Sequence, residues 1–494
     1  MRGIRMKLGK LLEKLEFEVL KGSLDTDITE LVYDSRKAVE GCVFLCISGT
    51  RNDAHDYIPS AVEKGAAAVV VEKKVETAGD ITVIYVKSAR KALAFMSAAW
   101  FDYPVSKMTT IGITGTKGKT TTSYMVKKIL EDSGRRVGLV GTNGAWIAGK
   151  HYPTKNTTPE SYELESYFSR MVEAGCEFMV MEVSSQGIKM DRVAGFEFDY
   201  ALFTNISPDH IGPDEHADFE EYLDYKRQIL SMCKVGFVNR DDEHYEEMIK
   251  GHTCELYSYG EAEDADIRME EIDYVKNHGF LGLSFALEGE KIGKLHMKVN
   301  MPGYFNAVNA LAAVSVCSFI GVTEDAVNQA LAEVRVDGRM EIVYTSHDKT
   351  VIVDYAHNAV SMESLLKTLR SYEPKRLVVV FGCGGNRSKL RRYEMGEIGG
   401  KMADLTIITA DNSRFEKVED IIEDIKTGIN KTDGKYMVIP DRREAIGYSI
   451  NHAEEGDMIC IIGKGHEDYQ EIEGVRYHFS DRETAEEFLK KEGK

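Results

Sequence analysis

The residues best suited to chemistry lie in the segment GITGTKGKTTT, from Gly112 to Thr122. This segment follows an apolar run and opens a stretch with a helical pattern. Its glycines let the backbone curl with N–H groups pointing inward, where they can bind phosphate oxygens. Lys119 could then reach the outer phosphates, and the hydroxyl of Thr120 could bind a magnesium ion. The segment predicts a nucleotide-binding loop, and the alternative is a glycine-rich turn without a ligand.

The loop departs from the general P-loop pattern by one position. Ile113 stands five residues before Gly118, where the general pattern has its first glycine, and the glycine comes one step earlier at Gly112. This shift points away from generic NTPases and toward a narrower group whose loop reads GTxGKT.

Other polar side chains follow apolar runs that are typical of strands. Ligands collect at the carboxyl ends of parallel strands, so these positions are candidates for a site. Glu182 follows FMVM and could hold a magnesium ion opposite the loop, unless it is a solvated residue at a strand end. His210, in TNISPDH, follows YALF and could equally be structural. Lys226, in EYLDYKRQIL, lies on a predicted helix, where a lone lysine is usually a solvated charge.

Three residues near the middle of the chain could contact a nucleotide. Asn306 and Asn309 share one face at a predicted helix start, where their amides could bind an adenine edge or cap the helix. Arg339 lies in the turn DGRME at a predicted domain boundary. It could bind a phosphate, although a surface salt bridge is equally common for such an arginine.

A second set of polar residues follows the apolar runs near the C-terminus. Arg392, Arg414 and Glu467 could bind a zwitterion, with a guanidinium for its carboxylate and a carboxylate for its ammonium group. Each of them alone could equally be a surface charge. The segment FGCGGNR does not fit GxGxxG, so a dinucleotide site has little support.

Composition limits the possible function. The chain has 494 residues, 43% of them hydrophobic, and a net charge of −19. Its length predicts roughly two to four domains, and its acidity argues against a nucleic-acid partner. Without an apolar run of about eighteen residues, no membrane insertion is expected. Four leucines near the N-terminus have helical spacing and predict an amphipathic helix rather than a signal peptide. These are Leu8, Leu11, Leu12 and Leu15.

The cysteines indicate a reducing environment. The chain has 8 cysteines, and the closest pair, Cys42 and Cys46, lacks further ligands at zinc spacing. We predict that both lie on one face of a strand in a core, and that all eight are reduced thiols in a cytoplasmic protein.

Alternating strand and helix patterns predict an α/β fold with three domains. The predicted limits are 1–108 for an N-terminal α/β domain, 109–336 for a central P-loop domain with a parallel sheet, and 337–494 for a C-terminal domain. Five apolar strands separated by helices predict that the last domain is doubly wound and Rossmann-like.

Taken together, the motifs resemble those of the Mur ligase family of cytoplasmic peptidoglycan synthesis, and within it the MurE type. They occur in family order over nearly the whole chain: GTKGKTTT, TTPE, EVSS, TNISPDH, the lysine of YLDYKRQIL, GYFNAVNALAA, DGRME, DYAHN, GCGGNR, DNSR and GKGHE. The joint match is far more specific than any single motif.

The resemblance implies an amide-forming reaction. ATP would phosphorylate the D-glutamate carboxylate of UDP-N-acetylmuramoyl-L-alanyl-D-glutamate, and the amino group of a diamino acid would attack the acyl phosphate. It favours meso-diaminopimelate, because lysine has no distal carboxylate for Arg414. Lysine or another diamino acid stays an alternative, since DNSR replaces the family's DNPR and Ser413 lacks the rigidity of proline. A monomer is expected.

The resemblance also implies roles for individual residues. Lys119, Glu182, His210 and Lys226 would be catalytic. Thr120, Glu182, His210 and a Lys226 carbamylated by CO2 would bind two magnesium ions. The ATP-binding residues would be Gly115, Thr116, Lys117, Gly118, Lys119, Thr120, Thr121, Asn306, Asn309, Arg339, Asp354 and His357. The UDP-linked substrate would contact Ser35, Arg36, Thr157, Thr158, Ser184 and Arg192, and the amino acid would contact Arg392, Asp411, Asn412, Arg414, Gly463 and Glu467.

Two other classes of function compete with this interpretation. A folylpolyglutamate synthetase, or a Mur ligase for another step, would share the loop but not YDSR in the first domain or the pair DNSR and GKGHE. A P-loop NTPase acting as a switch would hydrolyse ATP without needing an amino acid. Gln186 also replaces a histidine that many Mur ligases have.

Overall fold

The computed structural model describes residues 5–49, 52–77, 79–195, 197–212, 215–277, 279–336 and 338–491. Asp337, the first residue of the DGRME motif, lies outside them. The described residues up to Asp266 form one compact unit with Ser315–Ile320, and Ile267–Val314 forms a second with the described residues from Gly321 onward. No helix among these residues is long and apolar enough to cross a membrane.

The first unit begins with a small α/β sheet. Its helices are α1 (Leu8–Leu11), α2 (Ile58–Glu63) and α3 (Ala89–Trp100). Its strands are β1 (Met6–Lys7), β2 (Glu18–Lys21), β3 (Asp27–Ile28), β4 (Glu30–Val32), β5 (Cys42–Leu45), β6 (Ala68–Val71) and β7 (Thr82–Tyr85). The sheet order is β2-β7-β6-β5-β4, with only β2 antiparallel, and β1 pairs with β3.

Side chains of this sheet fill a core on each face. Val43 of β5 packs with the leucines of α1, whereas Cys42 and Phe44 pack on the other face with α2. Successive side chains of a strand point to opposite faces, so a continuous apolar strand serves both cores. Cys46 lies in the same core as Cys42, as predicted, and all eight cysteines are free thiols.

The larger sheet of the first unit carries the phosphate loop. Its helices are α4 (Lys119–Asp132), α5 (Ser161–Glu173), α6 (Ser185–Lys189), α7 (Phe219–Arg227) and α8 (Tyr245–Ile249). Its strands are β8 (Thr109–Thr114), β9 (Val137–Gly141), β10 (Gly144–Ile147), β11 (Lys150–Tyr152), β12 (Phe178–Glu182), β13 (Phe198–Phe203), β14 (Cys233–Asn239) and β15 (Glu255–Gly260). They follow the order β11-β10-β9-β12-β8-β13-β14-β15, parallel except at β10 and β11.

The second unit opens with three antiparallel strands. These are β16 (Ile267–Asn277), β17 (Phe280–Gly289) and β18 (Gly293–Val299). Helices α9 (Tyr304–Phe319) and α10 (Glu324–Glu333) follow.

A mainly parallel sheet forms the rest of the second unit. Its strands are β19 (Glu341–Thr345), β20 (Lys349–Asp354), β21 (Arg376–Phe381), β22 (Leu405–Ile408), β23 (Tyr436–Val438) and β24 (Asp457–Ile462), followed by the hairpin β25 (Tyr469–Ile472) and β26 (Val475–His478). Its helices are α11 (Ala359–Arg370), α12 (Lys389–Met402), α13 (Val418–Ile429), α14 (Arg442–Asn451) and α15 (Asp481–Lys491). The sheet order is β19-β20-β24-β21-β22-β23, with β19 antiparallel.

Helices cover both faces of this C-terminal sheet. Val379 and Phe381 of β21 pack with α11, α12 and α13, whereas Val378 and Val380 pack with α14 and α15. The structure contains all five apolar strands that the sequence predicts, and the doubly wound arrangement is confirmed. The predicted limits of the three domains stay predictions.

Candidate functional site

The phosphate loop connects β8 to α4, as predicted. Gly115 and Gly118 have φ of 144° and 84°, which glycine tolerates and other residues rarely adopt. The ammonium group of Lys119 donates to the carbonyl oxygens of Gly115 and Thr116 at 2.7 and 3.0 Å. The loop is therefore curled around the lysine that would meet the phosphates.

Gly115 gives a direct test of the loop's shape. A methyl group there would lie 2.0 Å from Oγ1 of Thr204, and the residue already has positive φ. We expect Gly115→Ala to lower ATP affinity roughly tenfold, because the strain of about 1–3 kcal/mol must be relieved by moving the loop. Gly134→Ala is the control, since Gly134 has φ of +87° but nothing within 4 Å of the added methyl group. Calorimetric ATP titrations that match for both variants would contradict this expectation.

Glu182 lies at the end of β12, next to the loop, because β12 and β8 are paired up to Glu182 and Ile113. Its side chain is fully buried. It accepts hydrogen bonds from the hydroxyl groups of Thr120 and Thr142 at 3.0 and 2.9 Å. Burial raises the pKa of this carboxyl group, and the charge of Lys119 opposes that rise. The carboxylate and the Thr120 hydroxyl thus form one cluster of oxygen ligands.

Lys226 is buried rather than solvated, with a relative exposure of 2%. Its Nζ donates to the carbonyl oxygen of Gly115 at 2.7 Å, the same oxygen that accepts from Lys119. Burial lowers the pKa of Lys226 well below its usual range, the charge of Lys119 lowers it further, and Asp209 opposes the shift. The pattern that predicted a surface lysine is overridden by tertiary packing, since α7 turns this side chain toward the loop.

The residues around the loop fit a magnesium ion. Among the described residues, no group of three His, Cys, Asp or Glu side chains could hold a metal ion. Magnesium, however, is typically bound by one or two carboxylates together with substrate phosphates. Thr120 and Glu182 supply hard oxygen ligands of that kind beside the loop.

Two histidines, His210 and His216, follow β13. The sequence predicts a role in metal binding for His210, which is the exposed one. His210 has φ of 53° and lies 2.9 Å from Oε1 of Glu215. His216 is instead fully buried, with Nε2 at 2.9 Å from the hydroxyl group of Ser185. His210 is thus exposed, and its ring lies 6.1 Å from the ring of Tyr222, whose hydroxyl group is 3.1 Å from that of Thr116 in the loop. Its role in metal binding stays a prediction.

Four residues predicted for the UDP-linked substrate form a chain of hydrogen bonds that leads away from Glu182. The Thr158 hydroxyl donates to the carbonyl oxygen of Glu182 at 3.0 Å and accepts from the Ser184 amide at 2.9 Å. Arg192 donates to the carbonyl oxygen of Thr158 at 3.0 Å, and the Thr157 and Thr142 hydroxyl groups are 3.0 Å apart. The structure brings all four together within the first unit.

Ser35 and Arg36 lie in a short 3-10 helix after β4. The Arg36 guanidinium is exposed and pairs with Asp34 at 2.8 Å. No contact connects this pair to the hydrogen-bonded chain around Thr158 among the described residues, so its role at the uridine end stays a prediction.

The residues predicted to close on ATP from the second unit are mostly buried. Asn306 donates to the carbonyl oxygen of Pro302 at 2.7 Å, and Asn309 lies 3.4 Å from Oδ1 of Asn306. Asp354 accepts from the backbone amides of Met340 and Ala356 at 2.8 and 2.7 Å, and burial raises the pKa of its carboxyl group.

Two residues beside Asp354 contact the same tyrosine ring. The Arg339 guanidinium lies 5.2 Å from the ring centre of Tyr355. The exposed His357 ring lies 4.8 Å from the same ring. The turn that follows Asp354 therefore brings these predicted residues together.

Apart from Arg392, which lies in α12, the residues predicted for the amino acid come from two loops at the carboxyl ends of β22 and β24. Asn412 donates to Oε2 of Glu467 at 2.9 Å. Lys464, which is fully buried, donates to the side-chain oxygens of Asn412 and Glu467 at 3.1 and 3.3 Å. Gly463 has φ of +116°, and a methyl group there would lie 2.7 Å from Oδ2 of Asp411. The two loops are in direct contact.

The predicted arginines have different surroundings. Arg414, with φ of 52°, donates to the carbonyl oxygen of Gly385 at 2.6 Å and lies 3.9 Å from Glu471. Arg392 is buried and pairs with Glu416 and Asp424 at 2.8 and 2.9 Å. Its Nη2 also donates to the carbonyl oxygen of Gly384 at 3.2 Å. Arg392 thus holds the GCGGNR loop, and a direct role in binding the amino acid stays a prediction.

Sequence reasoning missed two members of these networks. Thr142 follows β9, the parallel neighbour of β12, and this position at a strand end could have indicated it. Lys464, within GKGHE, has the same signal, because it lies two residues after β24.

Comparison with known proteins agrees with this geometry. Residues 113–317 match the family model of the Mur ligase middle domain, 338–465 that of the Mur ligase, glutamate ligase domain, and 27–101 that of the Mur ligase family, catalytic domain. The predicted three-domain α/β architecture is thereby confirmed.

Individual proteins are similar to this chain over nearly their whole length. The UDP-N-acetylmuramoyl-L-alanyl-D-glutamate–2,6-diaminopimelate ligase 1 of Clostridium acetobutylicum is 41% identical over 98% of this chain and 99% of its own. The corresponding ligase of Caldanaerobacter subterraneus subsp. tengcongensis is 40% identical over 98% and 99%. A solved structure of a ligase of that name has a TM-score of 0.77 and 27% identity, covering 99% of this chain and all of the other. The chain therefore belongs to the Mur ligase family.

Proposed function

We propose that this protein is an ATP-dependent ligase that joins meso-2,6-diaminopimelate to the D-glutamate side-chain carboxylate of UDP-N-acetylmuramoyl-L-alanyl-D-glutamate. The observation that carries this choice is the pairing of Asn412 with Glu467 beside Arg414 in contacting loops. A carboxylate and a guanidinium presented together suit a substrate that has both an ammonium group and a second carboxylate.

The first step activates the carboxylate. Its oxygen attacks the γ-phosphorus of ATP, the bond from that phosphorus to ADP breaks, and an acyl phosphate forms. Lys119 and the loop amides bind the phosphates and offset the charge that develops during transfer. The chain of hydrogen bonds from Thr158 to Arg192 would orient the muramoyl dipeptide beside them.

Thr120 and Glu182 would hold one magnesium ion, which when bound withdraws charge from the phosphates. We propose a second ion bound by a carbamate on Lys226. A neutral buried amine can add to CO2 with loss of a proton, whereas a protonated amine cannot. The lowered pKa of Lys226 and its position beside Lys119 support this modification.

The second step forms the amide. The neutral amine of the diamino acid attacks the acyl carbon, the bond from that carbon to the phosphate oxygen breaks, and the nitrogen loses a proton as phosphate leaves. Glu467 and Asn412 would bind the ammonium and carboxylate groups at the distal end together with Arg414, so that the other amine is free to react. We propose that one chain carries out this reaction as a monomer in the cytoplasm, where its nucleotide-linked substrate is made.

A phosphate-release assay tests the proposal. With the UDP-linked dipeptide, ATP and magnesium present, we expect meso-diaminopimelate to stimulate phosphate release strongly, and lysine and ornithine to stimulate it weakly. Release without any amino acid requirement would favour an NTPase switch and overturn the ligase. Stimulation by lysine alone would overturn the choice of amino acid but keep the reaction.

A further inference from the structure

A buried ion pair lies beneath the two loops predicted to bind the amino acid. Arg442, the first residue of α14, is 1% exposed, and Asp481, the first residue of α15, is fully buried. Nε and Nη2 of Arg442 donate to the two carboxylate oxygens of Asp481 at 2.7 and 2.6 Å. A buried pair of this kind is tolerated only where its other hydrogen-bonding groups are also satisfied.

The other N–H groups of Arg442 reach the backbone of the two loops. Nη1 donates to the carbonyl oxygen of Ala410 at 3.1 Å, and Nη2 donates to that of Ile462 at 3.0 Å. Ala410 directly precedes the loop with Asp411 and Asn412, and Ile462 directly precedes Gly463. The guanidinium therefore connects the two backbones at the points where the loops begin.

No ladder of backbone hydrogen bonds could make this connection. In the sheet order, β21 lies between β22 and β24. The carboxyl ends of β22 and β24 are therefore not neighbours. The rigid fork of an arginine can hold two carbonyl groups and a carboxylate at once, which a lysine cannot do with fixed geometry. Farther along the same loops, Lys464 joins Asn412 to Glu467.

We propose that Arg442, held by Asp481, is a positioning residue that sets the spacing of Asn412 and Glu467 and so the affinity for the diamino acid. This inference rests on the proposed function. Gly463 directly follows the Ile462 carbonyl group, has φ of +116°, and leaves so little space beside Asp411 that an added methyl group would lie 2.7 Å from its Oδ2. A shift at the start of either loop thus changes the distance between the groups that bind the substrate. A misplacement of about 1 Å can lower the rate of a reaction as much as a hundredfold.

A purely stabilising role would predict a different result, and the same sheet offers a matched control. Arg376 pairs with Asp457 at 3.0 and 2.6 Å and donates to the carbonyl oxygen of His452 at 3.2 Å. Asp457 is the first residue of β24, whereas Ile462 is its last. The two arginines thus make similar bonds at opposite ends of β24. Arg442 lies at its carboxyl end, next to the two loops, and Arg376 lies at its amino end.

The test compares Arg442→Lys with Arg376→Lys. We expect Arg442→Lys to raise the KM for meso-diaminopimelate about tenfold and to leave the KM for ATP unchanged. Arg376→Lys should leave both KM values unchanged, although both variants should melt at lower temperature. If Arg442→Lys does not fold, Asp481→Asn frees the guanidinium and should give the same split between the two KM values.

The outcomes separate this inference from the proposed function. Equal changes in both KM values, or the same KM values for the Arg442 and Arg376 variants, would overturn the positioning role. A wild-type protein that meso-diaminopimelate does not stimulate would instead overturn the proposed function. Isothermal titration of the amino acid against each variant gives an independent readout, since only the Arg442 variant should lose affinity.

Discussion

The Lys226→Ala protein is expected to form the amide on the order of 10²- to 10³-fold more slowly than wild type, a loss comparable to removing one preorganised electrostatic group. Lys226 contacts the oxygen of Gly115 in the phosphate loop and is shielded from solvent. Its loss removes the proposed carbamate and the metal ligand that it would supply. Steady-state kcat in the phosphate-release assay measures the effect.

The size of this effect should not come from unfolding. Lys119 still donates to the Gly115 carbonyl group, but alanine removes buried methylene groups of Lys226 and its contact with the Tyr222 ring at 4.8 Å. We therefore expect a lower thermal unfolding temperature, and the assay is run well below it so that the variant stays folded. Lys128→Ala is the control, because this lysine lies on α4, the helix that follows the phosphate loop, and pairs with Asp132 at 2.6 Å.

Lys226→Arg separates the carbamate from a simple cation. Arginine keeps a positive charge and hydrogen-bond donors but stays protonated and cannot form a carbamate. We expect this variant to be as inactive as Lys226→Ala. We also expect the activity of wild type to fall when CO2 and bicarbonate are removed, whereas the residual activity of both variants should not change. Retained activity in Lys226→Arg would mean that a cation suffices and that the proposed carbamate is wrong.

The sequence predicted those features that depend on local signals. Glycines at Gly115 and Gly118 and the apolar run before them specify a strand, a loop and a helix within a dozen residues. The same holds for the five apolar strands of the C-terminal sheet. Because parallel strands end at one edge, Glu182 could also be placed beside the loop before any contact was known.

Features that depend on distant partners could not be predicted in this way. Nothing near Lys226 in the sequence indicates burial, which arises when α7 packs against the loop about 110 residues earlier in the chain. Arg392 is predicted to bind the amino acid, and its guanidinium also pairs with Glu416 and Asp424 of the protein. Its role toward the substrate stays a prediction. A pattern of charges along the chain cannot distinguish a carboxylate of the protein from one of the substrate.

Family resemblance supplied part of what local signals lacked. It predicts Lys226, Asn412 and Glu467 as site residues, and the comparisons confirm the family, whereas the individual roles stay predictions. It did not indicate Arg442, whose bonds to two backbone carbonyl groups carry no motif of their own. Supporting residues of this kind emerge only when the strand order is known.

Replacement of Arg414 by alanine is expected to raise the KM for meso-diaminopimelate about 10- to 100-fold and to leave the KM for ATP unchanged. A hydrogen bond to a charged group contributes about 1.5–3 kcal/mol, and a factor of ten corresponds to about 1.4 kcal/mol. Lysine as a substrate lacks the distal carboxylate, so the low kcat/KM for lysine should change little in this variant. The ratio of kcat/KM for the two amino acids measures the loss of selectivity.

Arg476→Ala is a closely matched control for this prediction. Both arginines lie 3.9 Å from Oε2 of Glu471, but Arg476 belongs to the exposed strand β26, and within the described residues only Arg414 of the two donates to the Gly385 carbonyl oxygen. Its removal should therefore leave both KM values unchanged. If the two variants behave alike, the effect comes from Glu471 rather than from a carboxylate of the substrate, and the role assigned to Arg414 is wrong.

Arg414→Lys then distinguishes charge from shape. A lysine keeps the positive charge, but its single ammonium group cannot bond the Gly385 carbonyl oxygen and both oxygens of a substrate carboxylate in fixed directions. We expect a KM for meso-diaminopimelate between those of wild type and Arg414→Ala. A lysine variant equal to wild type would mean that selectivity rests on charge alone, and the left-handed backbone at Arg414 would then have no part in choosing the substrate.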